Sequence, residues 1–427
     1  MFLLRLLRRI GVVLAVLSLL FGALATVVRW RGARALDRAV KDFETRVGPV
    51  NLAAYNLPPV NPETNPAPAL RRASELLGEA IHRGLPGETP LSIRLRELAH
   101  RPLSEWSAEE LAQLPALLER LRPTREQLQI ALERRGPSSF GYDMTRFWGS
   151  GFPNFQTING LGDLLLLEAR QAEHAGDWAG VARAAAQLGQ LAGILNAEAP
   201  LVDQLLSYNY ERRQYLALRL LAEAPDVDAA LIDQALETLR TGAEPKKLAR
   251  AVGTEGAFLH DLWTVKALAH DWGFGYRARL SLWLAGKRYV ADQLGFLADS
   301  MDVLRLQSLP TAQWPTERDH GMLWSQELDN GPISLQTAAV RQTATRSIHR
   351  LARTALELRR AALTTGTYPK FADTTPSEFT GKPIRRLDLP DGGVLLDLEG
   401  AQELWQKHVQ PKPERPTELP TEWKLPG

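Results

Sequence analysis

The chain opens with Arg5, Arg8 and Arg9, followed by an uncharged run of 19 residues from Ile10 to Val28. About 20 helical residues cross the hydrocarbon core of a bilayer, and glycines such as Gly11 and Gly22 are tolerated there. Arg29, Trp30 and Arg31 close the run as an interfacial anchor would. The pattern predicts a single N-terminal transmembrane helix within residues 1–31. A cleaved signal sequence is the rival reading, because Ala23-Leu24-Ala25 fits a small-x-small cleavage site after the shorter stretch Ile10 to Phe21. The apolar run continues through Val27 and Val28, which favours a retained anchor. Arginines flank the run on both sides, with Arg29, Arg31, Arg34 and Arg38 following it, so the positive-inside rule is nearly balanced. The very short N-terminal tail reads as an export signal. The expectation is a single pass through an inner membrane with the body on the periplasmic or extracytoplasmic side. The alternative is secretion after cleavage near Ala25.

Residues 32–69 begin with apolar positions at helical spacing, Ala35, Val40, Phe43 and Val47, and predict a stalk helix. Pro58, Pro59, Pro62, Pro66 and Pro68 follow, which suits an extended linker or a strap lying on the body. Residues 70–333 predict a helical body. Leu70, Ala73, Leu76, Leu77, Ala80 and Ile81 recur at three and four residues and give one apolar face. Ser107 with Glu110, and Thr124 with Gln127, have the spacing of capping boxes. Between Leu161 and Ala222 three helices are expected. Gly176 supplies a left-handed cap and Asp177 the next N-cap, and Pro200 starts the third helix. This Gly-Asp turn resembles the helical hairpins of tetratricopeptide-type proteins, but no 34-residue period recurs, so an irregular stack of helical hairpins is expected.

Two aromatic groups stand out. Phe140, Tyr142, Phe147, Trp148, Phe152 and Phe155 are interleaved with glycines and lack helical spacing. They predict an irregular loop that either binds a ligand or plugs one end of the core. Trp272, Tyr276, Leu280 and Trp283 form a stripe if one helix spans them, flanked by Arg277, Arg279, Lys287 and Arg288. That stripe suits a core face, or an amphipathic face against membrane or a partner helix.

Residues 334–409 change character. A long helix from Ser334 to Leu363 ends at Gly366-Thr-Tyr368-Pro369, and Phe379-Thr-Gly381-Lys-Pro383-Ile384 follows. Asp391-Gly392-Gly393 beside short apolar runs predicts a β-hairpin. This order resembles the C-terminal half of major pseudopilins of type II secretion systems. It also resembles a group of uncharacterised membrane-anchored bacterial proteins that combine an anchor, a helical middle and this ending. The resemblance implies an architecture and an envelope location. Departures from a pilin subunit are clear: no Glu lies within Ile10 to Val28, and about 300 residues separate the anchor from the long helix. Because some pseudopilins bind calcium near this end, Asp388, Asp391, Asp397 and Glu399 are weak candidates for oxygen ligands. Residues 410–427 are expected to be a Pro-rich tail.

Composition narrows the chemistry. The 427 residues hold 51 Lys+Arg against 49 Asp+Glu, a balance that argues against a nucleic-acid binder. The absence of Cys excludes disulfides, thiolate metal sites and Cys nucleophiles. His260-Asp261 and His270-Asp271 sit on one predicted helix, but His260 and Asp271 lie about 16 Å apart along its axis, too far to share a metal. No His-Glu-x-x-His, Gly-x-Ser-x-Gly or phosphate-binding glycine loop occurs. No catalytic, metal or cofactor residue is therefore assigned. The expected fold is mainly α, with a small C-terminal α+β module. The expected role is a non-catalytic envelope scaffold that binds the membrane and other envelope proteins. An envelope-polymer enzyme using carboxylates, and a secreted ligand-binding protein, are the alternatives.

Overall fold

The computed structural model describes residues 2–82, 90–144, 154–197, 200–239, 245–264, 276–305, 335–370, 375–409 and 419–427. Among these residues the fold is mainly α, with a three-stranded antiparallel sheet near the C-terminus. The first helices are α1 (Phe2–Arg46), α2 (Ala67–His82), α3 (Leu91–His100), α4 (Ala108–Arg120) and α5 (Arg122–Glu133). The central ones are α6 (Phe155–His174), α7 (Trp178–Asn196), α8 (Leu201–Glu223) and α9 (Ala229–Thr238). Then come α10 (Pro245–Thr264), α11 (Tyr276–Arg305) and α12 (Leu335–Thr365). The last segment holds β1 (Arg385–Asp388), β2 (Val394–Asp397), α13 (Ala401–Val409) and β3 (Glu422–Leu425).

The chain folds into two compact units, each assembled from two stretches. Unit 1 comprises Met1–Tyr55 and Ala249–Arg305. Unit 2 comprises Asn56–Leu248 and Leu306–Gly427. The sequence suggested one continuous body over 70–333. The difference arises because α11 packs along the N-terminal helix and α10 meets it where Gly256 faces Phe43.

In unit 1, α1 runs unbroken through the anchor and the expected stalk. Its buried positions, Ala25, Gly32, Ala35, Leu36 and Phe43, keep helical spacing. That stripe packs on α11, whose own buried face is Val290, Ala291, Leu294, Leu297 and Ala298. The absence of a side chain at Gly32 leaves the backbone near Arg288; a Cβ there would lie 3.4 Å from the Arg288 nitrogen. Gly256 of α10 is needed for close approach, since a Cβ at that position would sit 2.2 Å from the Phe43 ring.

In unit 2, the local signals decide where the helices start and stop. Ser107 and Glu110 form a complete capping box at the start of α4. Gly176 adopts φ 68°, and the Asp177 carboxylate accepts from the Gly180 N–H at 2.9 Å, so the turn between α6 and α7 forms as expected. Thr124 does not cap α5. That helix begins at Arg122 because Pro123, pre-set for a first turn, places the boundary three residues earlier. The proline-rich stretch after Tyr55 is a strap. Asn65 ties it to the loop beyond α5, donating to the Ser139 carbonyl at 2.7 Å and accepting from the Ser139 N–H at 3.1 Å.

The centre of unit 2 is α8. Nineteen of its 23 residues are buried, and it touches α6, α7, α9, α12 and β3. Helix α6 in turn packs on α2 and α3. Helix α12 carries Val340, Ala344, Ile348, Leu351, Ala355 and Leu358 on its buried side. Arg359 joins its end to the end of α8, donating to the Ala224 carbonyl at 2.9 Å.

The C-terminal module is larger than a hairpin. β1 and β2 pair as expected around the Asp391 turn, and β3 adds to the other edge of β2, with Leu396 opposite Trp423. The segment expected to be a tail therefore supplies a strand. Alternation decides this: Trp423 and Leu425 are fully buried while Glu422 and Lys424 are exposed. The outer edge of β3 is covered, because the Lys424 N–H donates to the Glu223 carboxylate at 2.8 Å. Truncating Trp423 to Ala removes the largest fully buried side chain. A loss of about 3–5 kcal/mol is expected, read by chemical denaturation of unit 2 through the loss of sheet and helix signal together.

Candidate functional site

Three features qualify as functional surface or site. The first belongs to unit 1. From Gly11 to Arg31 every residue of α1 except Ala25 is exposed. Leu19, at 74% exposure, and Leu24, at 63%, are the extremes. An apolar surface of this extent marks a membrane or partner contact, and α1 is long and apolar enough to cross a membrane. At its end Trp30 and Trp283 are both half exposed. The Arg34 guanidinium lies 4.0 Å over the Trp30 ring and that of Arg29 lies 4.4 Å over Trp283.

The second feature is an ionic knot inside unit 2. Asp163 of α6 is almost fully buried, and Arg213 of α8 donates to its Oδ1 from Nε at 2.8 Å and from Nη2 at 2.7 Å. His100, at the end of α3, meets the same Oδ1 through Nε2 at 3.0 Å. Arg213 also reaches Asn159 at 3.2 Å, and Asn209 donates to the same Asn159 oxygen at 3.2 Å. Gly162 makes room for this, since a Cβ there would meet Tyr210 and Arg213 within 2.9 Å. Burial opposes ionisation of Asp163, but Arg213 and His100 together hold its carboxyl well below the usual range. Burial is the largest influence on His100 and pushes its pKa down, against the opposing pull of Asp163. A neutral His100 that meets a carboxylate through Nε2 carries its proton there. The knot joins three helices by a carboxylate with no open side for a substrate, and its chemistry is structural.

The third feature is a narrow cleft between α7, α8, α9 and α12, with a cavity volume of about 10 Å³. Gly189, Glu211, Gln214, Tyr215, Thr238, Leu239 and His349 line it. Tyr215 and His349 meet edge to face, with the hydroxyl 3.4 Å from Nδ1. Burial raises the Tyr215 pKa and lowers that of His349, so both are neutral at pH 7. The cleft has room for about one water molecule. Its polar groups suit a water or a small polar group rather than a polymer.

The residues singled out from the sequence fall elsewhere. Phe140 and Tyr142 are buried and stacked, ring centroids 5.5 Å apart, and the Phe140 carbonyl accepts from Arg71 of α2 at 3.1 Å. This part of the aromatic loop closes the end of the core beside α2. Phe147, Trp148, Phe152 and Trp272 lie outside the described residues, and Tyr276 begins α11. The calcium candidates are not brought together. Asp388 pairs with Val394 and Asp397 with Arg385, at opposite ends of the ladder and about 10 Å apart along it. Arg386 binds Asp388 at 2.6 Å, Arg385 binds Asp397 at 2.8 Å, and Lys382 binds Glu399 at 2.7 Å. Asp391 accepts from the Gly393 N–H in the turn.

Sequence reading passed over Asp163, Arg213, Glu211 and His349. A signal was present: Asp163 interrupts a face continued by Leu164 to Leu167, and Glu211-Arg-Arg-Gln214 sits inside a helix that is apolar on both sides. No family model, curated protein or solved structure matches the chain.

Removing Arg213 leaves a buried carboxylate without its main partner, so Arg213→Ala is expected to cost about 3–5 kcal/mol of stability. The knot also sets a pH response. Folded His100 resists a proton that the unfolded chain accepts below about pH 6.5, so its contribution falls as pH drops through that value. Asp163, depressed in the folded state, adds a further loss that begins below about pH 3.9 and continues down to its folded value. Denaturation midpoints of wild type and His100→Gln from about pH 2 to pH 8 separate the two: the variant is expected to lose the first decline and keep the second.

Proposed function

We propose that the protein is a non-catalytic, membrane-anchored scaffold of the bacterial envelope, with its helical body outside the cytoplasm and other envelope proteins as its partners. The observation that carries this reading is the bare apolar surface of α1 leading without a break into a packed helical unit. Retention of the anchor is supported by Ala25. The expected cleavage position lies mid-helix and is the one buried residue of the apolar stretch, so removal would strip part of the packing of unit 1. Stacked helical hairpins offer broad surfaces suited to protein partners. The sequence from Ser334 to Leu396, which resembles the C-terminal half of major pseudopilins, favours a role in assembly or secretion.

The competing enzyme reading requires two carboxyls facing each other across a cleft. Among the described residues the cleft beside His349 is lined by one, Glu211. A secreted binding protein using the aromatic loop requires Phe140 and Tyr142 to face a ligand, whereas both are packed.

Affinity purification of the full chain from gently solubilised native membranes tests the scaffold reading. The expected outcome is a set of envelope proteins in fixed ratio, with an intact mass that includes Met1 to Ala25. Recovery of the chain alone counts against a scaffold. A mature N-terminus near residue 26 counts against the anchor.

A further inference from the structure

The position of helix α11 along the chain's apolar helix follows from its pairing with α1. Three contacts fix the register of the two helices. Arg29 lies over Trp283, Gly32 lies against Arg288, and Arg46 binds Asp299 at 2.7 Å. Both chain directions advance together, so the helices are parallel. Counting back from these pairings sets Tyr276 beside Gly22. The stretch Tyr276 to Leu282 therefore runs level with the last two turns of the apolar run, which ends at Val28. A helix rises about 1.5 Å per residue, so the start of α11 reaches about 9 Å below the level of Val28. Ala25, the one buried residue of α1 in this region, falls within the stretch that α11 accompanies.

The span leaves no slack. The 19 residues Ile10 to Val28 give roughly 28 Å of helix, close to the full hydrocarbon thickness of about 30 Å. If α1 crosses a bilayer, all of its apolar run is needed, and Val28 marks the far boundary. The start of α11 then has to share the boundary layer.

The composition of both helices fits that layer. On α1 no acidic residue occurs before Asp37, and on α11 none occurs before Asp292. The shared register puts these two first acids at nearly the same level. Below that level lie Arg29, Arg31 and Arg34 on one helix and Arg277, Arg279, Lys287 and Arg288 on the other. Exposed Trp30 and Trp283 sit one residue apart in level, each with an arginine over its ring. Tryptophan prefers the headgroup region, and basic side chains there reach lipid phosphates while their stems stay apolar.

We propose that the start of α11 enters the lipid boundary beside the anchor, with Tyr276 to Leu282 at the outer edge of the hydrocarbon and Trp283 at the headgroups, and docks unit 1 on the bilayer. The lipid contact is then a collar on two helices rather than a single tether, and it restricts rotation of unit 1 about α1. This inference rests on the anchor reading of α1.

Because the chain has no Cys, single-cysteine variants of the full-length protein accept one spin label each. Leu19→Cys, Trp30→Cys, Trp283→Cys and Asp299→Cys occupy exposed positions. The labelled proteins are reconstituted in vesicles of phosphatidylethanolamine and phosphatidylglycerol. Depth is read from the ratio of oxygen to nickel-chelate collisions. The label at 19 is expected in the hydrocarbon and the label at 299 in water. The label at 283 is expected at the depth of the label at 30, about 15 Å shallower than that at 19. A label at 283 as accessible to the nickel chelate as that at 299, with 19 still in hydrocarbon, overturns the docking of α11 and leaves the anchor standing. A label at 19 in water overturns the anchor and the docking together.

Discussion

A helix buried on every side cannot carry an uncompensated charge, and unit 2 is organised around meeting that condition for α8. Its middle holds Glu211, Arg212 and Arg213 among tyrosines and leucines. Asp163 answers Arg213 from α6, and His100 closes the same carboxylate from α3. Because a half-satisfied buried ion pair is strongly unfavourable, these three helices have one mutual arrangement that works. Small residues serve that arrangement: Gly162 admits Tyr210 and Arg213, and a Cβ at Gly189 would overlap the Gln214 amide. The remaining layers build outward from this axis. α12 and α9 pack on α8, as does α7, and the sheet meets its far end where the Lys424 N–H donates to Glu223.

Unit 1 relies on the opposite device. Its long helices meet along Ala25, Gly32, Ala35 and Leu36, where small side chains bring two backbones together. This packing fits the proposed anchor, because beside lipid the burial of apolar surface supplies little preference for a partner helix and close contact has to supply it instead. One stripe of α1 is committed to α11 and the rest is left bare from Gly11 onward. The helix thus changes surroundings along its length with no kink or break.

Features set by neighbours in sequence were legible. Ser107 with Glu110, and Gly176 with Asp177, act within a few residues, and both form as the spacing implies. The apolar stripe of α12 and the turn at Asp391 belong to the same class. Where two local signals competed, the stronger backbone constraint prevailed, as Pro123 did over Thr124. Features set by distant partners were not legible. β3 is four residues among prolines, and it becomes a strand because β2 has a free edge that it can fill. The match of Asp163 to Arg213 joins residues 50 positions apart, and nothing at either position names the other. The pairing of α1 with α11 is more remote still, so the division into two interleaved units could not be read from composition.

That interleaving bears on the order in which the molecule is made. Arg46 and its partner Asp299 are 253 residues apart, and a ribosome adding about 5–20 residues per second needs roughly 10–50 s to deliver the second after the first. For that interval the contact stripe of α1 has no partner from its own unit. Unit 2 waits as well, since α8 is complete before α12 and β3 emerge. Neither half closes on its own N-terminal segment, so early folding proceeds with two open faces and late folding seals both. For an anchor of the proposed kind, lipid shields α1 during the wait once insertion has come first, and the biogenesis of unit 1 is then tied to that step.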